Sequence, residues 1–202
     1  MNAHTMQSAA VLGSGTMGNG IAQVLAQTGL SVCLYDIAQP QLLKAMQTIQ
    51  ANLDKGVEKG KVTAADRAAA MGRLRVSTDL MEAVQGVDVV IEAVPEILDL
   101  KNSLFRELAA NCRADCVLAT NTSSLSLQKV FAGVHVPERC IGLHWFNPPP
   151  IMKLLEVVRT SATSQDTIDA AMAFAAQCGK EPILVKDSPG FASSRLGVCL
   201  GL

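Results

Sequence analysis

The chain has 202 residues, a formal net charge of −1, and 49% hydrophobic against 17% charged residues. Burial on that scale offsets the ordering entropy of the chain, which excludes disorder as the main state. Near-neutral charge with only 3% aromatics argues against a nucleic-acid binder, which needs a basic surface and often stacking rings.

A polar tail over residues 1–7 leads into a short apolar run at Ser8–Leu12, then Gly13-Ser14-Gly15-Thr16-Met17-Gly18. A helical pattern follows with Met17, Ile21, Val24 and Leu25 on one face, and Gly29 is placed to stop it. Ser31–Tyr35 predicts a second buried strand ending at Asp36, the first charged residue of the chain. The uncharged start is neither a signal peptide, which needs a basic n-region, nor a membrane helix, because four glycines interrupt it. Pro40 opens a helix over 41–58, and Thr63-x-x-Asp66 resembles a capping box for a helix to about Met71.

Strands are expected at Leu74–Ser77, Val87–Val94, Cys116–Thr120 and Cys140–Phe146, with helices at Asp79–Gln85, Glu96–Cys112 and Leu125–Phe131. This alternation is the pattern of an α/β fold with a doubly wound, mostly parallel sheet. After Pro148-Pro149-Pro150 the rhythm changes. Met152–Arg159 and Ile183–Lys186 read as strands around a helix at Ser164–Cys178, which Ser164 can cap. Phe191–Leu202 is a further apolar, helix-capable stretch that stops without a cap, so the natural protein is expected to continue.

The six cysteines form no C-x-x-C pair and no His stands at metal-ligand spacing. They read as reduced, buried thiols of a cytoplasmic protein, with no metal site expected.

The glycine loop lies between a strand and a helix, and Asp36 closes the next strand, which is the context of a dinucleotide fingerprint. Gly13 permits the tight turn, Gly15 lets backbone approach a pyrophosphate, and Gly18 allows close helix–strand packing. The helix N-terminus, Thr16 and Met17 included, adds unpaired N–H groups and the positive dipole end. Asp36 can accept from both ribose hydroxyls and repels a 2′-phosphate, which favours NAD over NADP.

His144 ends a strand, where doubly wound sheets place their ligands. Glu156 follows after a proline turn and can be returned to the imidazole as tautomer-fixing partner of a general base. The bland alternative is a buried histidine satisfied by backbone. Asn121-Thr122-Ser123-Ser124 ends another strand: Ser123 can contact substrate or nicotinamide, or the stretch can simply cap the next helix, with Ser124 as cap. Glu92 and Glu96 flank Pro95 in a structural or cofactor-facing role, while Lys101 has a solvated helix face as its bland reading, and Asn147 a turn. A basic stretch over 41–75 that includes Lys55 and Lys61 can meet a phosphorylated ligand such as coenzyme A, or be an ordinary solvated hairpin.

The stretches GSGTMGNGIAQVLAQTG, VIEAVPEILDLK, LATNTSSLSL, GLHWFNPPPIMKLLEVV and KDSPGFASSRL closely resemble the N-terminal NAD-binding domain of the 3-hydroxyacyl-CoA dehydrogenases, 3-hydroxybutyryl-CoA dehydrogenases included. The resemblance implies a Rossmann-like domain over 1–187. Residues 188–202 then form a linker and the start of an all-helical C-terminal domain that completes the acyl-CoA site and makes a homodimer. It implies oxidation of short-chain (S)-3-hydroxyacyl-CoA, in fatty-acid oxidation or butanoate metabolism, without metal or membrane. His144 is then the base, Glu156 its orienting partner, and Ser123 holds the substrate oxygen. Asp36 binds the adenosine ribose, while Glu96, Lys101, Asn121, Ser123 and Asn147 lie along the cofactor, and Lys55 and Lys61 meet the CoA ester. Ser194 stands where many members carry a further active-site Asn. Rival readings are a dehydrogenase of a free hydroxy or sugar acid, resembling the L-gulonate dehydrogenases, and a nucleotide-binding module without catalysis. A start only a few residues before the first strand favours a standalone chain over a segment of a multifunctional enzyme.

Overall fold

The computed structural model describes residues 5–193. Its elements are β1 (Ser8–Leu12), α1 (Thr16–Gln27), β2 (Ser31–Tyr35), α2 (Gln39–Glu58), α3 (Ala64–Gly72), β3 (Leu74–Ser77), α4 (Leu80–Val84) and β4 (Val89–Glu92). There follow α5 (Leu98–Asn111), β5 (Val117–Thr120), α6 (Leu127–Val130), β6 (Cys140–Trp145), β7 (Leu154–Arg159), α7 (Gln165–Gln177) and β8 (Glu181–Lys186). The eight strands form one sheet in the order β3-β2-β1-β4-β5-β6-β7-β8. Neighbours run parallel except β6 and β7, which are antiparallel. The α/β, doubly wound, mostly parallel sheet expected from the alternation is the architecture found.

Two apolar layers hold the sheet. Ala9 and Val11 of β1 point into one cluster with Ile21 of α1, Leu42 of α2 and Phe174 of α7. Ala10 and Leu12 point into the other, with Phe105 and Leu108 of α5 and Leu127 of α6. This two-residue alternation, apolar in both phases, is why β1 reads as a continuous hydrophobic run. Phe105 is fully buried and edge-on to Phe131, ring centroids 4.9 Å apart, and its truncation to Ala costs about 3–5 kcal/mol.

Gly29 (φ +102°) stops α1 as expected, with Leu30 N donating to Leu25 O at 3.1 Å. Thr63 Oγ1 caps α3 by accepting from Asp66 N at 3.0 Å. The reciprocal bond runs from the Thr63 hydroxyl to the Asp66 carboxylate at 2.7 Å, since Asp is too short to reach back to the backbone as Glu does in a full capping box. Several helices and strands are shorter than expected. The helix read from Glu96 starts at Leu98, because a turn from Pro95 O to Ile97 N (2.7 Å) intervenes. Met152 belongs to a turn on Pro148 O rather than to β7.

β1 pairs with β2 on one side and β4 on the other. The strand order therefore reverses between β1 and β4, and a crevice opens beyond their C-terminal ends. Among the described residues no helix is long and apolar enough to cross a membrane. Cys33, Cys112, Cys116, Cys140 and Cys178 are free and buried. The expectations for Ser194, Cys199 and the segment 194–202 lie outside the described residues.

Candidate functional site

The glycine loop fills the crevice at the switch point. Gly13 (φ +98°) donates to Tyr35 O at 2.8 Å, and a Cβ there would lie 2.6 Å from Ala93 O, so the β1 and β4 turns touch through it. A Cβ on Gly18 would fall 1.7 Å from Gly13 O. Both glycines are demanded by the protein itself. Gly15 is different: a Cβ there meets nothing within 4 Å, so the open space above it is room for a ligand. α1 begins at Thr16 with no side-chain cap, which leaves the Thr16, Met17 and Gly18 N–H groups without intrahelical acceptors. The Met17 side chain packs against the core, so only its backbone faces the loop.

Asp36 Oδ2 accepts from Ser14 N at 2.9 Å and Ser14 Oγ at 2.7 Å, while Oδ1 accepts from Ala38 N at 3.1 Å. Ser14, read in the sequence only as a loop residue, thus fixes the acid that ends β2. An open glycine turn, free helix N–H groups and a single positioned carboxylate are the donor and acceptor set a dinucleotide needs. The residues present fit one.

Beyond β4 and β5 lies a second polar cluster. Lys101 is 1% exposed, not on a solvated face. Its Nζ donates to Glu92 Oε1 at 2.6 Å and meets Glu96 Oε2 at 3.1 Å. Glu92, fully buried, also accepts from Thr120 Oγ1 at 2.6 Å and Val94 N at 2.8 Å. Glu96 accepts from the Thr122 hydroxyl, from Ser124 Oγ at 3.1 Å and from Ser123 N at 3.3 Å. Burial pushes the Glu96 carboxyl up, but Thr122, the Lys101 ammonium and Ser124 outweigh it and hold it below the usual carboxylate range. Ser124 is therefore not the cap of α6: it is spent on Glu96. The α6 N-terminus is served from afar by Asp187 Oδ2, which accepts from Ser126 Oγ at 3.1 Å and Gln128 N at 3.0 Å. Ser123 keeps its hydroxyl exposed at the end of β5, and Asn121 Oδ1 accepts from Trp145 N at 2.9 Å, tying that end to β6.

His144 and Glu156 are cross-strand partners on β6 and β7, with Nδ1 2.7 Å from Oε2. Glu156 is fully buried and His144 7% exposed. The bland reading of His144 as a histidine satisfied by backbone fails, since its Nδ1 is committed to a carboxylate. That commitment leaves Nε2 for a ligand. Phe146 and Phe191 flank the imidazole, with centroids at 4.5 and 5.6 Å.

Asn147 precedes Pro148 in a cis bond and begins the loop that returns to β7. Gly20 lets this loop ride on α1, because a Cβ there would meet Pro149 Cδ at 2.8 Å. Lys180 clamps it from β8's side, donating to Pro149 O at 2.6 Å and Met152 O at 2.8 Å. Neither residue stood out in the sequence: an extra glycine in α1 was the one available signal for Gly20. Between this loop, α1 and α2 lies a pocket of about 850 Å3 lined by Gly15, Asn147, Lys44, Lys55, Lys59 and Lys61 among others. The structure thus gathers Gly15, Asn147, Lys55 and Lys61 around one cavity. His144 with Glu156, and Glu96 with Lys101 and Ser123, form two further clusters along the C-terminal ends of the strands.

Residues 8–188 match the family described as 3-hydroxyacyl-CoA dehydrogenase, NAD binding domain. The chain is 42% identical over 191 residues to the 3-hydroxyadipyl-CoA dehydrogenase of Escherichia coli (strain K12), covering 95% of this chain and 40% of that protein. It is 39% identical over 187 residues to the 3-hydroxybutyryl-CoA dehydrogenase of Clostridioides difficile, covering 93% and 66%. The crystal structure of 3-hydroxybutyryl-CoA dehydrogenase from Escherichia coli K12 superposes with a TM-score of 0.93 at 41% identity, over 96% of this chain and 41% of that one. The chain thus spans less than two thirds of the length of these relatives.

Proposed function

Because the chain belongs to the 3-hydroxyacyl-CoA dehydrogenase family through its NAD-binding domain, we propose that it serves the NAD-dependent oxidation of (S)-3-hydroxyacyl-CoA to 3-oxoacyl-CoA, on short acyl chains. The observation that carries the reading is the buried His144–Glu156 pair, 2.7 Å apart at the end of β6. When bound, NAD supplies the hydride acceptor. His144, with Nδ1 held by Glu156, takes the 3-hydroxyl proton at Nε2, and the Glu156 carboxylate balances the imidazolium that forms. Ser123 holds the substrate oxygen through its exposed hydroxyl.

Gly15, with the Thr16 and Met17 N–H groups, holds the pyrophosphate in the turn that Gly13 and Gly18 close by their packing, and Asp36 holds the adenosine ribose. Glu96, Asn121 and Asn147 line the rest of the cofactor, with Lys101 acting through Glu96 because its ammonium is already saturated. Lys55 and Lys61 meet the phosphates of the CoA ester, a role supported by the four lysines that line one pocket with Gly15. The domain boundary at 187/188, a homodimer built by a helical domain beyond it, a cytoplasmic location, and a place in fatty-acid oxidation or butanoate metabolism complete the reading.

The test is single-turnover oxidation of NADH by acetoacetyl-CoA, with the chain in excess and His144→Ala as control. Loss of NADH absorbance that the control abolishes is the expected result. Consumption of NADH by acetoacetate but not by its CoA ester would replace the acyl-CoA with a free acid. No consumption with either substrate would overturn the reading for this chain.

A further inference from the structure

The turn after β8 grips the carboxylate behind His144. Phe191 adopts φ +46°, a left-handed conformation unusual for a residue with a side chain. That geometry aims two successive N–H groups at one point: Ala192 N and Ser193 N donate to Glu156 Oε1 at 3.1 and 2.8 Å. Consecutive amides converging in this way form an anion-holding nest. The Ser193 hydroxyl then donates to Glu156 Oε2 at 3.1 Å, the oxygen that also meets His144 Nδ1 at 2.7 Å.

We propose that Ser193 is a positioning residue for the His144–Glu156 pair, its hydroxyl fixing the carboxylate oxygen that orients the imidazole. The amide bonds anchor Oε1 but leave the carboxylate free to pivot about it. A second donor on Oε2 removes that freedom and sets the plane from which Oε2 faces Nδ1. The turn itself does not need the hydroxyl, because any residue but proline at 193 keeps both amide donors. Glu156 is fully buried, so no bulk water replaces the missing donor.

The inference rests on the dehydrogenase reading for its kinetic consequence only. Ser193→Ala and Ser193→Thr are compared with the unaltered chain by acetoacetyl-CoA-dependent NADH oxidation and by the proton NMR resonance of the His144 Nδ1–H. Ser193→Ala is expected to lower kcat about three- to tenfold, the loss of one hydrogen bond at one remove from the reacting atoms, with KM for NADH unchanged. It also moves the Nδ1–H resonance, and Ser193→Thr restores both. A resonance that stays in place in Ser193→Ala, or that Ser193→Thr fails to restore, overturns the proposal. If the unaltered chain oxidises no NADH, the dehydrogenase reading falls while the resonance still decides whether Ser193 sets the pair.

Discussion

His144 and Glu156 sit directly opposite one another across the antiparallel β6–β7 pair, so a single backbone register brings Nδ1 to 2.7 Å from Oε2. The contact depends on two rigid strands rather than on a flexible loop, and a one-residue slip of either strand would turn its side chain to the other face and part the pair. Glu156→Gln keeps the shape and the amide contacts but removes the charge that balances an imidazolium. The single-turnover rate of NADH oxidation is expected to fall about 100-fold, at the low end of general-base contributions, with NADH affinity unchanged. An equal loss of affinity would show that Glu156 shapes the cofactor site instead.

Gly15 and Gly18 make an internal control for the cofactor. An alanine methyl at 18 would fall 1.7 Å from Gly13 O, whereas at 15 it meets nothing within 4 Å. Gly18→Ala is therefore expected to lower the urea midpoint of unfolding. Gly15→Ala should unfold like the unaltered chain yet bind NADH at least about tenfold more weakly, because the methyl occupies the pyrophosphate's approach. Calorimetric titration beside urea unfolding separates the two effects.

The doubly wound, mostly parallel sheet and the glycine turn were legible because they rest on short-range signals: apolar runs of strand length alternating with helical patterns, the Gly13-x-Gly15-x-x-Gly18 spacing, and an acid at the end of β2. The His144–Glu156 pairing was legible as a candidate, since a proline turn between two strands returns the chain on itself. What stayed hidden were side chains whose partners come from distant elements. Lys101 looks like any helix lysine, and only the β4–β5 pairing shows that Glu92, Glu96 and Thr120 surround its path. Asp187 capping α6 spans some sixty residues of chain. Ser193 faces Glu156 only because Phe191 turns left-handed, a conformation its sequence does not advertise.

The Lys101–Glu92 pair is 1% and 0% exposed in its side chains, so each charge depends on the other. Lys101→Met leaves a buried carboxylate with Thr120 and one backbone N–H, and is expected to cost about 3–5 kcal/mol of stability. The double variant Glu92→Gln with Lys101→Met should regain a large part of that loss in urea unfolding. If the two single losses simply add, the pair is not coupled.

Glu96 gives a pH signature. Its carboxyl is held below the usual carboxylate range in the folded chain, against the opposing push of burial, by Thr122, Lys101 and Ser124. A depressed carboxylate contributes stability that is complete above its unfolded value and is lost as pH falls through its folded one. The stability gap between the unaltered chain and Glu96→Gln should stay constant from about pH 7 to 5 and close below about pH 4. The gap is small, because the side chain is 38% exposed and solvent screens it. A gap that widens on acidification would reverse the sign and contradict the hydrogen-bond assignment.

Lys55 and Lys61 separate the two phosphate-bearing ligands of the proposed reaction. Both are exposed and line the pocket between α1, α2 and the Pro148 loop, which Asp36 and Glu96 do not line. An exposed lysine near a phosphate contributes about 0.5–1 kcal/mol, so Lys55→Gln with Lys61→Gln should raise KM for acetoacetyl-CoA about five- to thirtyfold. NADH affinity should hold, since the groups around its ribose and pyrophosphate are untouched. Salt should act in the same direction on the unaltered chain and less on the double variant, because the charges that salt screens are then gone. A parallel loss of NADH affinity would move the dinucleotide into the lysine pocket, and an unchanged KM would leave those lysines as a solvated helical face.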